Sequence, residues 1–212
     1  KGFQPPAFDR LRGMGLLPKP ERQTFDDLFT GERSNVAFAM CDAHLEREEG
    51  SGKDSHWVTI FRGQLIRISC PKKFLGVTVI ARDAGLLNML HRPPGLDRVG
   101  LGASQFEKLF EVYSTDQVEA RFLVHPAFMQ KLLDMEAAYH GANLRGMFCE
   151  GELLLAVEGK DRFDFGNPFS RFDDIAQAQG VAADLNQVLG LIDFVLAGPP
   201  RDLYAAALGN PM

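Results

Sequence analysis

Apolar and polar positions alternate with period two through "NVAFAMCDAHLE", with Val36, Phe38 and Met40 on one side and Ala37, Ala39 and Cys41 on the other. Successive side chains of a strand point to opposite faces, and here both sides are apolar, which predicts a strand covered on both faces. The segment "HWVTIFRGQLIRISCPKKFLGVTVIARD" adds three β-rich runs, punctuated at Arg62-Gly63 and at Pro71-Lys72-Lys73. With the polar, Gly-containing tip "REEGSGKDS" ahead of it, the pattern predicts an antiparallel meander. A further strand is expected at Glu111 to Tyr113, and "NLRGMFCEGELLLAVEG" reads as a hairpin turning at Glu150-Gly151.

Three-four spacing marks the helices. In "FDDIAQAQGVAADLNQVLGLIDFVLAG" the residues Ala178, Val181, Ala182, Leu185, Val188, Leu189, Ile192, Val195 and Leu196 fall on one apolar stripe, ended by Gly198-Pro199-Pro200. "TFDDLFTGERSN" reads as a capped turn of helix broken at Gly31. Upstream, Pro and Gly in "GFQPPAFDRLRGMGLLPKPERQ" leave room only for a short helix between Pro6 and Gly13. "AGLLNMLHRPPGLDRVGLG" predicts a helical turn ended at Pro93-Pro94, then a loop. Strands, helix, hairpin and long helix in that order predict an α+β fold, an antiparallel meander sheet packed against helices. A curved sheet closed by the C-terminal amphipathic helix, as in pleckstrin-homology-like domains, is one topology that fits. The expected boundaries are a connector over residues 1–20, a single domain over 21–198 and a tail over 199–212.

Composition narrows the functional classes. A net charge of -5 and a pI near 5.6 argue against nucleic acid as a partner. The three cysteines, at 41, 70 and 149, are odd in number and lack a CxxC, so a reducing compartment fits better than a disulfide framework. Seventeen Phe against one Trp predict a Phe-rich core. No apolar run reaches the roughly eighteen residues that a spanning helix needs. The chain opens on Lys-Gly-Phe, without an initiator Met, and a preceding segment is expected to have been removed.

Candidate chemistry is densest in "FEVYSTDQVEARFLVHPAFMQKLLDM". Ser114-x-x-Gln117 has the form of a capping box, in which the hydroxyl serves the amide three residues on and Gln reaches back. Asp116 and Glu119 would then sit in the first turn, where the helix dipole favours negative charge. His125-Pro126 resembles a second helix start, with Phe128, Met129, Leu132 and Leu133 as its buried face. Each polar residue thus has a structural task. The rival reading is an enzyme, hydrolytic in type, using His125, Tyr113 and Asp116 or the aspartates 161, 164, 173 and 174. Cys41-x-x-His44 has the spacing of half a zinc site, but strand residues three apart face opposite ways. "DFG" at Asp164 to Gly166 lacks every other kinase motif. No P-loop, G-x-S-x-G or H-E-x-x-H occurs, so no cofactor or metal is expected. Arg62, Arg67, Lys72 and Lys73 gather around the meander and form a candidate contact for an anionic surface.

The segments "DDLFTGERSNVAFAMCDAHLE", "TIFRGQLIRIS…KFLGVTVIARD", "FEKLFEVYSTDQVEARFLVHPAFMQKLL" and "FCEGELLLAVEGKDRFDFG" together resemble a bacterial family, domain of unknown function 3137, in order from about Pro18 to the final helix. The family has no assigned activity, cofactor or catalytic residues. The resemblance implies a pair of transmembrane helices upstream, and hence a domain on the cytoplasmic face of the inner membrane with "GFQPPAF" as its juxtamembrane connection. It also implies a LemA-type membrane protein as a candidate partner. On this reading the domain is a non-enzymatic module that contacts a protein or an anionic lipid surface.

Overall fold

The structure, a computed structural model, describes residues 8–71, 73–83, 93–138, 143–159 and 173–197. Its centre is one antiparallel sheet of eight strands in the order β1-β2-β3-β8-β7-β4-β6-β5. The strands are β1 (Arg22–Arg33), β2 (Val36–Glu49), β3 (His56–Ser69), β4 (Thr78–Arg82), β5 (Asp97–Arg98), β6 (Phe110–Ser114), β7 (Leu144–Cys149) and β8 (Glu152–Glu158). The helices are α1 (Asp9–Gly13), α2 (Ser104–Glu107), α3 (Gln117–Leu123), α4 (Pro126–Ala138) and α5 (Asp173–Ala197).

Alternation along the strands divides the interior into two cores. On β2, Val36, Phe38 and Met40 join Ile66 and Ile68 of β3 beneath the helices, where Phe128, Leu132 and Ile192 complete the layer. The intervening Cys41, Ala43 and Leu45 belong to the other face, packed with Leu65, Phe61 and the N-terminal residues Phe8, Leu11, Leu16 and Leu17. β2 is thus covered on both faces only from Cys41 onward, since Ala37 is exposed and Ala39 half-buried, and residues 8–17 pack as part of the body. Beneath α4, Arg82 of β4 pairs with the buried Glu136.

Two hairpins close in two residues. Ser34 and Asn35 join β1 to β2 with φ of 51° and 65°, and Glu150 and Gly151 join β7 to β8 with φ of 51° and 78°. Positive φ at both central residues is the turn geometry whose twist suits paired strands. The second turn stands where the sequence predicts it.

Other expectations need correction. "TFDDLFTGERSN" is not helical: it forms most of β1, paired to β2. Its three-four spacing of Phe25, Leu28 and Phe29 comes from a bulge. Asp26 lies opposite Asp42 and Phe29 opposite Met40, so two residues face one, with Asp27 at φ 48°. The Arg62-Gly63 break is also absent, because β3 runs unbroken through it. A Cβ at Gly63 would lie 2.1 Å from the carbonyl oxygen of Val157, so glycine there admits β8 rather than making a turn. The meander is interrupted as well, since β8 and β7 stand between β3 and β4. On α5, Ala182 is exposed and Leu191, outside the predicted stripe, is buried with Val188 and Ile192. No helix among the described residues is long and apolar enough to cross a membrane.

Candidate interaction surface

β3 delivers the chain to a loop over residues 70–77, which leads into β4. The loop is braced at Cys70 and from Leu75 to Val77. The Cys70 N–H donates to the carbonyl of Gly151 at 2.7 Å. Those of Leu75 and Gly76 donate to the two carboxylate oxygens of Glu119, at 2.7 and 2.8 Å. The Val77 N–H donates to Thr115 Oγ1 at 2.9 Å, and its carbonyl accepts from the Thr115 N–H at 3.1 Å. A Cβ at Gly76 would fall 2.2 Å from Thr115 Oγ1, which is why the tightest point of the loop is a glycine.

Glu119 is aimed by its own helix. Asp116 caps α3, its Oδ1 accepting from the N–H groups of Val118 at 2.9 Å and Glu119 at 3.0 Å. The N-cap expected at Ser114 thus lies two residues on, at Asp116, and no capping box closes because the Glu119 carboxylate is bonded to the loop. Ser114 ends β6, fully buried, its Oγ 3.0 Å from Thr78 Oγ1 on the neighbouring strand. Phe74 turns inward, edge-on to Phe148 with ring centroids 5.4 Å apart. Leu75 turns outward and is 88% exposed; Val118, beside Glu119 on α3, is 67% exposed. Lys73 is exposed on the same loop.

The four predicted cations do not share one surface. Arg62 and Arg67 are both exposed, but they lie five residues apart on β3 and so point to opposite faces. Arg67 is paired with Glu152, which also receives Arg10 from α1. Lys72 lies outside the described residues. Among the described members of the set, Lys73 accompanies the braced loop. The acidic stretch Glu46 to Glu49 lies at the opposite end of the long β2–β3 hairpin, since β3 runs from His56 beside Glu49 toward Ser69.

The residues of the enzymatic alternative are also separated. Tyr113 faces the core on the α1 side, and its hydroxyl donates to Glu111 Oε2 at 2.7 Å. His125 is buried between α3 and α4 on the helical side, where burial pushes its pKa down and favours the neutral ring. Asp116 is occupied as a helix cap. Asp161 and Asp164 lie outside the described residues, as do the side chains of Asp173 and Asp174. Cys41 points into the α1-side core while His44, on the other face, is 2.8 Å from Thr59 Oγ1. Among the described residues no group of three or more His, Cys, Asp and Glu is placed to hold a metal. Burial pushes the thiols of Cys41 and Cys70 up to about 12, so neither is a ready nucleophile.

A family model described as "Protein of unknown function (DUF3137)" matches residues 59–196, more than half of the chain. The chain belongs to this family. The match takes in the braced loop, its supports Thr115 and Glu119 and α5 as far as Leu196, and it begins within β3, leaving β1 and β2 outside. No curated protein matches. Among solved structures, the chain is similar to the crystal structure of the mycobacterial trehalose monomycolate transport factor A, TtfA, at a TM-score of 0.40 and 12% identity, over 78% of this chain and 72% of that one.

In this DUF3137 domain, sequence reasoning missed Leu75, Val118 and the clamp made by Glu119. It placed "FLGVTVIARD" in a strand from Phe74 onward, whereas β4 starts at Thr78. The available signal was an apolar pair, Phe74-Leu75, between two lysines and a glycine, in a stretch that Pro71 already marked as a turn.

Proposed function

We propose that this DUF3137 domain is a non-enzymatic interaction module working at the cytoplasmic face of a membrane, held there by segments upstream of Lys1. One arrangement supports the reading. The loop with Lys73 and Leu75, the β7–β8 turn and the docking point of α1 all belong to the same end of the sheet. Cys70 is bonded to Gly151 of that turn, and Arg10 of α1 pairs with Glu150 at 2.8 Å and with Glu152. A chain arriving from a membrane anchor through α1 would bring this end toward the bilayer. The contact is then an anionic lipid surface or a membrane protein of LemA type. The reading needs no pleckstrin-homology-like topology, only a rigid sheet that presents one end.

A photo-crosslinking residue in place of Lys73, in the intact protein within its native membrane fraction, tests this. Adducts to lipid or to a membrane protein should form from position 73 and not from Asp54, at the far tip of the β2–β3 hairpin. No adduct from 73, or equal yields from both, would overturn it.

A further inference from the structure

We propose that Leu75 and Val118 form an insertion tip that enters the headgroup–acyl boundary of an anionic bilayer, with Lys73 on its phosphate layer; this rests on the membrane-surface reading above and gives it a mechanism. Among the described residues the large apolar side chains left exposed are Leu28, Phe29, Trp57, Leu75 and Val118, and the two most exposed are the pair that flanks Glu119. Their exposure is built. Leu75 and Gly76 are held by one carboxylate, Val77 by Thr115, and Phe74 is anchored against Phe148, so the loop cannot fold Leu75 back onto the body without breaking these bonds. A preorganised tip loses little conformational entropy on insertion.

Size and charge favour a bilayer over a protein. A stable protein interface buries about 800 Å² on each partner, far more than two side chains offer. Shallow membrane insertion needs only a small apolar area supported by cations. The acidic groups beside the tip are turned inward: Asp116 accepts from α3 amides and Glu119 from the loop. Lys73 points to solvent, and Arg121 on α3 reaches the Gly100 carbonyl at 3.2 Å. With those carboxylates beside the cations the local field is modest, so insertion is driven mainly by the apolar pair, with a preference for anionic lipid.

The test is co-sedimentation of the 212-residue chain with vesicles of equimolar phosphatidylglycerol and phosphatidylethanolamine, against phosphatidylcholine alone. The anionic vesicles should bind better. Leu75→Ala removes three inserted carbons and should weaken partitioning by roughly fiftyfold, given the contribution of each buried CH₂. Lys73→Gln should weaken it about fivefold at low salt and less at high salt. Leu28→Ala, at an exposed apolar residue of β1, should leave binding unchanged. Because Leu75 and Lys73 are solvent-exposed, both variants should melt like the wild type. If wild type binds and Leu75→Ala binds equally well, the insertion tip is wrong while the membrane-surface reading stands. If wild type binds neither vesicle, the insertion tip is wrong, and crosslinks from position 73 to a protein would then assign this end to a protein contact.

Discussion

At the scale of single residues, the polar side chains of the 110–125 stretch serve architecture. Glu119 is the clearest case, because its two oxygens satisfy two consecutive loop amides. Hydrogen bonds to a charged group contribute more than neutral ones, so Glu119→Ala should cost about 1–3 kcal/mol in denaturant unfolding and speed hydrogen exchange at Leu75 and Gly76. Glu119→Gln keeps one acceptor and should lose less. His125 sets a pH dependence. Burial holds its folded-state pKa below the ordinary 6.5, so the unfolded chain binds the proton first as pH falls. Its contribution is complete above about pH 6.5 and is lost as pH drops through that value toward the folded-state pKa. His125→Asn should flatten this acid limb in a series of melts below neutral pH; an unchanged slope would mean that the ring is not held neutral.

At the scale of elements, legibility followed how local the cause was. The β7–β8 turn and the start of α4 at Pro126 were legible because Glu-Gly and His-Pro act within a few residues. β1 was not, because a bulge reproduces helical spacing and only pairing with β2 distinguishes the two. Gly63 was misread for a similar reason: its glycine answers the backbone of β8, about ninety residues along the chain, and nothing local reports that approach. The cap of α3 lay within reach, since Asp116 is as good an N-cap as Ser114, but Ser114 is claimed by the sheet. For α5, the alternation of exposed and buried side chains yields a sharp contrast. Leu191→Asp would bury an unpaired charge in the main core and should cost more than about 3 kcal/mol, whereas Ala182→Asp, at an exposed position, should cost less than about 1. Equal melting temperatures for the two would show that α5 does not seal this face.

At the scale of the whole molecule, the α+β class was legible from the period of the apolar positions, and the strand order was not. The insertion of β8 and β7 between β3 and β4 is fixed by which edges meet, a long-range choice that no segment records. The same insertion creates the working end, because it sets the β7–β8 turn beside Cys70 and sets β4 next to β6, which brings Glu119 under the loop. The basic patch read from Arg62, Arg67, Lys72 and Lys73 failed as a unit because strand parity separates the two arginines. The polarity of the sheet, with β3 running over about 45 Å from its acidic far tip to the braced loop, carries the functional account.

Spin labels placed at Lys73 and at Asp54 in the intact, membrane-bound protein measure that polarity directly. Collision rates with oxygen, which concentrates in lipid, are compared with those of a water-soluble nickel chelate. The account predicts that the label at 73 favours oxygen and the label at 54 favours the chelate. The same solvent-like ratio at both positions, or a lipid-like ratio at 54, would contradict it.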